Sequence, residues 1–257
     1  MTDQNSPQVP TVPATQIAAS VAPATAQPSW LIPGSIICAG ALMSAALFFG
    51  LQGNVKPSTA VAPTPPAPAA IPVDIAKVHI DGSPFIGNAD APIVVAVWSD
   101  YQCPFCKRFD QDSVKRLIAE YANTGKVKVV FKDFAFLGPD SDDASRIGRA
   151  VWEVAPDKFA AWHTGMFAKQ DDENGGWGSE ADILALTKSL GIDSVKVAEL
   201  LKTKSEVYQA AIDADKAEGG TFGINGTPGT IIGTDMLSGA LPYSNVKALV
   251  EKALAAK

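Results

Sequence analysis

The 257-residue sequence has little cysteine, little histidine and no excess of positive charge. Three cysteines are too few to hold together a disulfide-stapled scaffold, and two histidines provide few metal ligands. Lys and Arg number 21 against 27 Asp and Glu, which gives a net charge of −6. Such a chain offers no broad basic face that would attract phosphates, so we predict no nucleic-acid binding.

Charge and proline are unevenly distributed along the chain. Asp3 and Lys56 are the only charged side chains before residue 74, and 12 of the 19 prolines lie there. Residues 1–29 show no hydrophobic period and cannot bury enough apolar surface to offset chain entropy, which predicts a disordered tail. Residues 52–73 form a Pro/Ala-rich linker that favours extended polyproline II. Residues 74–257 are long enough to build a folded domain without disulfide staples.

Residues 30–51, between tail and linker, are 22 consecutive residues without a charge. As a helix they would span roughly 30 Å, the thickness of a bilayer's hydrocarbon core, with Trp30 at the interface. We predict a single transmembrane anchor. The alternatives are a cleaved signal peptide, which would normally begin with a charged region, a lipoprotein, which would need a small residue at Ile37 before Cys38, and a buried soluble helix that is apolar on all sides.

The hydrophobic pattern of residues 74–257 predicts an α/β fold. The run 93–98 is apolar and β-branched, as in a strand buried on both faces. A helical apolar period follows and should end near Gly125, and 127–134 reads as a second strand. A strand–helix–strand unit of this kind implies a parallel pair of strands.

A helical insertion is predicted over about 140–219, before strand signals return at 230–232 and 236–240. Asp140 or Ser141 can cap its first helix, and Ser179 begins a capping signature for a later one. The last two helices of the insertion are predicted over 193–202 and 205–218. A final helix is predicted over Tyr243–Ala255.

The sequence Cys-Pro-Phe-Cys at residues 103–106 points to thiol chemistry. Cys103 follows a buried strand and opens a helix, where free N–H groups and the helix dipole stabilise a thiolate and lower its pKa. Pro104 is tolerated in the first helical turn. The spacing of three places Cys106 one turn inward and within bonding distance. We therefore predict that Cys103 is the exposed nucleophile and Cys106 the shielded resolving cysteine.

A zinc site and an inert pair of thiols are the alternatives for these cysteines. Zinc needs four ligands. Beyond the two cysteines of the motif, the only histidines and cysteines of the chain are His79, His163 and Cys38. No second closely spaced ligand pair is present in the sequence. We predict that the protein uses no metal and no organic cofactor.

Three further features of the sequence are candidates for a role at the cysteine site. Asp100, three residues before Cys103, could relay the proton of Cys106, although a surface aspartate that stabilises the turn is the commoner arrangement. Thr227-Pro228 precedes the returning strand, where a Thr-Pro pair alone usually forms only a turn. His163 lies among aromatic residues and is interpreted as a packed or surface side chain.

Four segments together resemble the DsbA family of thiol–disulfide oxidoreductases. They are residues 81–92, 99–106, 131–134 and 226–228, and the resemblance covers about 75–257. It implies a thioredoxin-like fold with a helical domain inserted before a cis-proline, and a redox-active disulfide between the two cysteines of the motif. Members of this family act outside the cytoplasm, and membrane-anchored forms with a Pro/Ala linker are common.

The resemblance also implies partners and a substrate site. Family members oxidise or reshuffle cysteines of exported proteins and are commonly reoxidised by a quinone-linked membrane partner. The loop of Thr227 and Pro228 would expose backbone groups with which an extended substrate segment can pair.

One position of the motif departs from the strongly oxidising members, which have histidine where this chain has Phe105. Phenylalanine offers no hydrogen bond and no positive charge to the Cys103 thiolate. We therefore expect Pro104-Phe105 to tune the pKa and the reduction potential to less extreme values. The Thr227 hydroxyl can compensate in part by reaching the sulfur.

Two arguments conflict on the orientation of the predicted anchor. The positive-inside rule counts Lys56, on the C-terminal side, and would place the folded domain in the cytoplasm. One lysine is a weak indication, and disulfide chemistry favours an oxidising compartment. We expect a single-pass cell-membrane protein with residues 74–257 outside the cytoplasm.

The predicted function is oxidation of cysteine pairs in exported proteins through the Cys103–Cys106 dithiol. A reductase or an isomerase is the alternative within the same chemistry, although an isomerase commonly has a dimerisation domain for which this sequence gives no signal. A redox-inert tethered binding or chaperone module is the alternative from another class.

Overall fold

The computed structural model describes residues 73–257. The predicted tail 1–29, the predicted anchor 30–51 and all but the last residue of the predicted linker 52–73 lie outside the described residues. Among the helices within 73–257, none is both long and apolar enough to cross a bilayer. Val73 is buried against the sheet, so the folded part of the chain already includes this residue.

A five-stranded sheet forms the centre of the domain, with the strand order β1-β3-β2-β4-β5. The predicted parallel pair is confirmed, since β2 and β3 run parallel while the other neighbours are antiparallel. The strands are β1 (Phe85–Gly87), β2 (Ile93–Ser99), β3 (Val127–Asp133), β4 (Gly229–Ile232) and β5 (Asp235–Ser238).

Alternating side chains of β2 pack on opposite faces of the sheet. Val95 and Val97 belong to the larger hydrophobic core, whereas Ala96 and Trp98 pack in a smaller core with Phe222. Both faces are therefore covered, which is why this strand reads as an almost uninterrupted apolar run.

The helix after the cysteine motif, α1, runs from residue 104 to residue 122 and includes two π-helical turns. Its successive segments are Pro104–Phe109, the π turn Asp110–Val114, Lys115–Leu117 and the π turn Ile118–Ala122. A π turn contains one residue more than an α-helical turn, and this extra residue redirects the side chains around it. Such turns are frequent next to functional sites.

The predicted helical insertion is present between β3 and β4, over residues 139–221. It contains α2 (Pro139–Val154), α3 (Phe159–Lys169), α4 (Glu180–Ser189) and α5 (Ser194–Thr221), and α6 (Tyr243–Ala255) ends the domain. Short 3-10 turns occupy Ile75–Lys77 and Pro156–Lys158.

The prediction of two helices over 193–202 and 205–218 is wrong, because α5 is one continuous helix of 28 residues. No glycine or proline occurs in it before Gly219. The Thr203 hydroxyl donates to the Glu199 carbonyl at 3.0 Å, so the polar residues at the expected break stay within the helix.

The predicted cap of α2 is also wrong, whereas the cap of α4 is confirmed. Gly138, with φ of 101°, is the N-cap of α2, so Asp140 and Ser141 lie within its first turn. The Ser141 hydroxyl is turned inward to a buried partner instead of the helix end. Ser179 caps α4 by accepting from the Asp182 amide.

The chain enters the domain at one end of the sheet. The Ile75 amide donates to the Gly233 carbonyl at 2.8 Å, just beyond the end of β4. In the antiparallel register Ile232 lies opposite Val95, near the start of β2. The cysteine motif follows the other end of β2.

Candidate active site

The cysteine motif and the loop before β4 meet at the carboxyl end of β2. Cys103 is the N-cap of α1, and Cys106 lies in the first turn of that helix. Trp98 of β2 pairs with Gly229, the residue after Pro228, which brings the loop to the motif. The Cys103 Sγ lies 3.7 Å from the Thr227 carbonyl oxygen. Both cysteines are free thiols.

The pKa of Cys103 is lowered from 9.0 to about 6. The largest cause is a hydrogen bond from the Cys106 thiol, which acts against the burial of the sulfur. The Thr227 side chain and the backbone amides of Cys106 and Phe105 lower it further. The backbone amides at the helix start therefore stabilise the thiolate, as the position of Cys103 predicts, but the Cys106 thiol contributes more.

The pKa of Cys106 is raised well above its ordinary value, chiefly because burial penalises the charged form. The neighbouring Cys103 sulfur raises it further. At neutral pH the pair therefore consists of a thiolate at Cys103 and a thiol at Cys106. An asymmetric pair of this kind can attack or be attacked at Cys103 and resolve through Cys106.

The expected exposure of Cys103 is wrong, since 4% of the residue is accessible against 2% for Cys106. The physical reason is that the loop of Thr227 lies against its sulfur. The two cysteines therefore differ little in accessible surface, and the hydrogen bonds to Cys103 together with the stronger desolvation of Cys106 distinguish their thiols.

The two middle residues of the motif differ in their contacts. Pro104 occupies the first helical position, where its missing N–H leaves no bond unmade. Phe105 is 55% exposed, which is unusual for a large apolar side chain. The Arg108 guanidinium lies 5.1 Å from its ring centroid, in cation–π range. The motif therefore presents an apolar surface next to the reactive sulfur.

The Thr227-Pro228 peptide bond is cis, as the resemblance implies. The Thr227 hydroxyl is buried and has no hydrogen-bond partner within residues 73–257 while both sulfurs are thiols. Its contribution to the lowered pKa of Cys103 identifies it as a donor that is free for the thiolate.

Asp100 is fully buried, so the expectation of a surface aspartate is wrong, although its contacts favour the turn-stabilising role. Its two carboxylate oxygens accept hydrogen bonds of 2.7–3.3 Å from the Gln102, Phe136 and Leu137 amides and from the Ser141 hydroxyl. None of these four donors is a cysteine. The carboxylate therefore fixes the segment before the motif to the start of the insertion.

Sequence reasoning missed a carboxamide from the insertion that holds the motif. The Gln170 Nε2 donates to the Tyr101 carbonyl at 2.6 Å and to the Cys103 carbonyl at 3.1 Å. The Gln170 carbonyl in turn accepts from Lys107 at 2.5 Å. This residue is 67 positions from Cys103, and no local pattern announces the contact.

A second group that sequence reasoning missed lies beneath Cys106. Asp110 is 4% exposed, and its Oδ1 lies 3.0 Å from His163 Nε2. His163 Nδ1 lies 2.9 Å from the Tyr101 hydroxyl. His163 is packed, as predicted, but it is also hydrogen-bonded on both ring nitrogens. The signal for Asp110 was its spacing of four from Cys106, which places both on one helix face.

Metal ligands are not grouped at this site. Within residues 73–257 no cluster of three or more His, Cys, Asp or Glu side chains is arranged to hold a metal ion. A cavity of about 560 Å³ lies at the other end of the sheet, where Ile75, Ile93 and Leu249 are among its lining residues. No cysteine lines it.

Comparison with known families and sequences agrees with this geometry. The sequence model of the family described as Thioredoxin matches residues 80–252. "Disulfide bond formation protein D" of Bacillus subtilis is 29% identical over 181 residues, which cover 69% of this chain and 80% of that protein. A "Probable disulfide bond formation protein D" of Bacillus cereus is 26% identical, covering 66% of this chain and 77% of its own length.

Solved structures of similar fold include two bacterial proteins. BdbD from Bacillus subtilis, in its oxidised form, has a TM-score of 0.65 and 28% identity, covering 72% of this chain and 98% of that one. The thiol-disulfide exchange protein alpha-DsbA2 from Wolbachia pipientis has a TM-score of 0.59 and 26% identity, covering 66% of this chain and 86% of that one. The chain belongs to the thioredoxin family and is a thiol–disulfide oxidoreductase of the DsbA type.

Proposed function

We propose that this protein oxidises cysteine pairs of exported proteins. The observation that carries the proposal is the opposite displacement of the two thiol pKa values, to about 6 at Cys103 and well upward at Cys106. A stabilised Cys103 thiolate favours the reduced form of the enzyme, and a dithiol that prefers to be reduced is an oxidant toward its substrate.

The oxidising reaction takes place in two exchanges at sulfur. A substrate thiolate attacks Cys103 in the Cys103–Cys106 disulfide, the bond between the two cysteines breaks, and Cys106 leaves with the electron pair. A second substrate thiolate then attacks the substrate sulfur of the mixed disulfide and releases Cys103 as a thiolate. The substrate leaves with a disulfide and the enzyme as a dithiol.

The substrate would be an unfolded or extended segment. Phe105 offers an exposed aromatic surface beside the reactive sulfur, and the carbonyl of Thr227 lies against that sulfur. An extended chain could therefore contact the ring and pair with backbone groups of the loop while its cysteine approaches Cys103.

The direction of the reaction is tested by the reduction potential. A Cys103 pKa of about 6 lies between the values of about 7 for thioredoxin and about 3.5 for DsbA. We expect a potential between about −270 mV and about −120 mV, more oxidising than that of thioredoxin and less oxidising than that of DsbA. Equilibration with glutathione buffers measures it, and a value near −270 mV would identify a reductase instead.

Turnover distinguishes an enzyme from a binding module of the same fold. Oxidation of a dithiol peptide should be lost in Cys103→Ser. Cys106→Ser, mixed with a disulfide-bonded peptide, should accumulate the mixed disulfide between Cys103 and the peptide, because the resolving thiol is absent. Undiminished activity toward clients in Cys103→Ser would support the redox-inert tethered module.

The proposed setting is a membrane surface outside the cytoplasm. In this proposal residues 1–29 form a tail, 30–51 anchor the chain, 52–73 act as a spacer, and a quinone-linked membrane partner reoxidises the dithiol. The uncharged length of residues 30–51 supports the anchor, and the membership of the folded part in the DsbA type supports the location. A reporter fused after Lys257 should be active outside the cytoplasm, and activity only inside would overturn the location.

A further inference from the structure

We propose that Asp110 exchanges a proton with Cys106 each time the active-site disulfide opens or closes, and that His163 and Tyr101 position its carboxylate. The inference rests on the oxidoreductase function and adds a proton-transfer group to the two cysteines.

The three side chains form a hydrogen-bonded chain. His163 Nε2 lies 3.0 Å from Asp110 Oδ1, and in the tautomer that carries its proton on Nε2 the ring donates to this oxygen. His163 Nδ1 then accepts from the Tyr101 hydroxyl at 2.9 Å. The pKa of that hydroxyl is raised well above its ordinary value, first of all by burial, so it remains a donor. The chain holds the carboxylate in one orientation.

The second carboxylate oxygen lacks such a partner. Asp110 Oδ2 is buried and accepts no hydrogen bond within residues 73–257. A buried unpaired carboxylate oxygen is costly, and such groups commonly have a functional reason. Asp110 also begins the first π turn of α1, one turn after Cys106.

Asp110 and Cys106 line the same narrow space. Its volume is about 10 Å³, close to the room that one water molecule needs, and its other lining residues include Val97, Phe131 and Pro228. This shared space gives a proton a path between the carboxylate and the sulfur, with room for about one water molecule on that path.

Opening of the Cys103–Cys106 disulfide requires a proton at the Cys106 sulfur. Cys106 leaves as a thiolate when the disulfide opens, and burial makes that thiolate strongly basic. The sulfur is almost inaccessible to bulk water, with 2% of the residue exposed. A buried donor is therefore needed, and a catalytic proton donor or acceptor within reach typically contributes 10²–10⁴ in rate.

The proton is conserved over a full cycle. On opening, the protonated Asp110–His163 pair gives one proton to the Cys106 thiolate. On closing, Cys106 returns that proton to the pair, and its thiolate attacks Cys103 in a mixed disulfide. The bond between Cys103 and the partner sulfur breaks, and the partner leaves as a thiolate. No further acid, base or oxidant enters these two steps.

Charged and titratable groups from several elements surround the proposed proton. Cys106 faces Asp110 from the same helix, His163 from α3, and Tyr101 from the segment before the motif. Asp133 of β3 acts on the Tyr101 hydroxyl. Lys107, also on α1, donates to the Gln170 carbonyl.

A two-phase thiol titration tests the proposal. The reduced full-length protein is mixed with an aromatic disulfide that releases a coloured thiolate, so the first phase reports attack by Cys103 and the second reports resolution by Cys106. Asp110→Asn keeps the shape of the side chain but holds no exchangeable acid proton. Asp112→Asn is the matched control, since Asp112 lies in the same π turn and is exposed.

We expect Asp110→Asn to slow the second phase about tenfold or more at pH 7 and to leave the first phase unchanged. The difference in second-phase rate between Asp110→Asn and wild type should decrease as the pH rises, because Cys106 then ionises without transferring its proton to Asp110. Asp112→Asn should change neither phase. His163→Gln should slow the second phase less, and it replaces Asp110→Asn if thermal unfolding shows that the latter does not fold.

Two results would overturn the proposal. One is a second phase within twofold of wild type in Asp110→Asn and His163→Gln. The other is an equal slowing of both phases, which would indicate a merely structural role. A wild-type protein without any second phase would instead contradict the oxidoreductase function itself.

Discussion

Cys103 and Cys106 are the same residue type, lie three positions apart and are nearly equally buried, yet their thiols have opposite acidities. The difference comes from hydrogen bonds that converge on Cys103, first of all from Cys106 itself. Cys106 gives that hydrogen bond and receives less stabilisation of its own thiolate, so the desolvation penalty dominates its pKa. Each cysteine therefore sets the reactivity of the other.

Replacing Cys106 should change the acidity of Cys103 according to whether a donor remains. We expect Cys106→Ala to raise the pKa of Cys103 above about 6, because the largest stabilising hydrogen bond is lost. Cys106→Ser keeps a hydroxyl donor and should leave the pKa closer to wild type. The rate of alkylation against pH measures both. Equal midpoints for the two variants would contradict the assigned cause.

The stability of the reduced protein should depend on pH through Cys103. Its folded pKa of about 6 lies below the ordinary 9.0, so unfolding takes up a proton between these values. By linkage, the reduced form gains stability as pH rises above about 6, and loses that gain as pH falls through 6. The oxidised form has no such thiol. Urea unfolding of both forms at pH 6 and pH 8 should show the increase only in the reduced form.

At the scale of elements, α5 shows how tertiary packing overrides a local signal. Lys202 and Ser205 suggested a break, but the helix continues to Thr221 and packs along α2 and β3. Polar residues in a helix interior are weak breakers when their hydroxyls bond back to the preceding turn.

Proline substitutions should distinguish one long helix from two short ones. Thr203→Pro should lower the free energy of unfolding by about 3 kcal/mol or more, since it removes an interior hydrogen bond. Ser194→Pro is the matched control at the first helical position, where proline is tolerated. Urea denaturation measures both. A cost below about 1 kcal/mol for Thr203→Pro would fit a helix that ends near that position.

The sequence predicts those elements whose signals are local. The apolar run of β2, the cysteines that open α1 and the cap at Ser179 all depend on neighbouring residues, and the structure has each of them. The strand order could be only partly predicted, because the antiparallel positions of β1 and β5 depend on contacts distant in sequence.

The residues of the active site also fall into those that local sequence predicts and those that it does not. The cysteine motif is contiguous, so its position at a helix start could be predicted. Gln170 and His163 come from the insertion, and their contacts with Tyr101 exist only after the chain has folded. The burial of Cys103 was missed for the same reason, because the loop that covers it is 124 residues away.

At the scale of the whole molecule, a buried ionic cluster joins the insertion to the sheet. The Lys132 ammonium of β3 lies 2.5 Å from Asp215 and 3.1 Å from Glu218, both on α5. The Arg149 guanidinium of α2 binds Asp133 at 2.7 Å and Asp215 at 2.6 Å. Buried charges of this kind are costly unless each is paired, so the cluster holds the two parts in one arrangement.

Replacing Lys132, the cation of the buried cluster that lies on β3, should strongly destabilise the protein. Lys132→Met removes a positive charge that pairs with the Asp215 and Glu218 carboxylates. We therefore expect the free energy of unfolding to fall by about 3–5 kcal/mol. The matched control is Lys252→Met, which breaks an exposed pair with Asp235 and should cost about 1 kcal/mol or less. Chemical denaturation compares them. Similar losses in the two variants would argue against a role for the buried cluster.

The place where the chain enters the domain has a consequence for how the enzyme meets its clients. Ile75 is tied to Gly233 near the start of β2, whereas the dithiol follows the far end of that strand. Seven residues of extended chain separate these ends by roughly 20 Å. A support attached to the domain at Ile75 would therefore lie at the opposite end of the sheet from the reactive sulfur and would leave the dithiol accessible to other proteins.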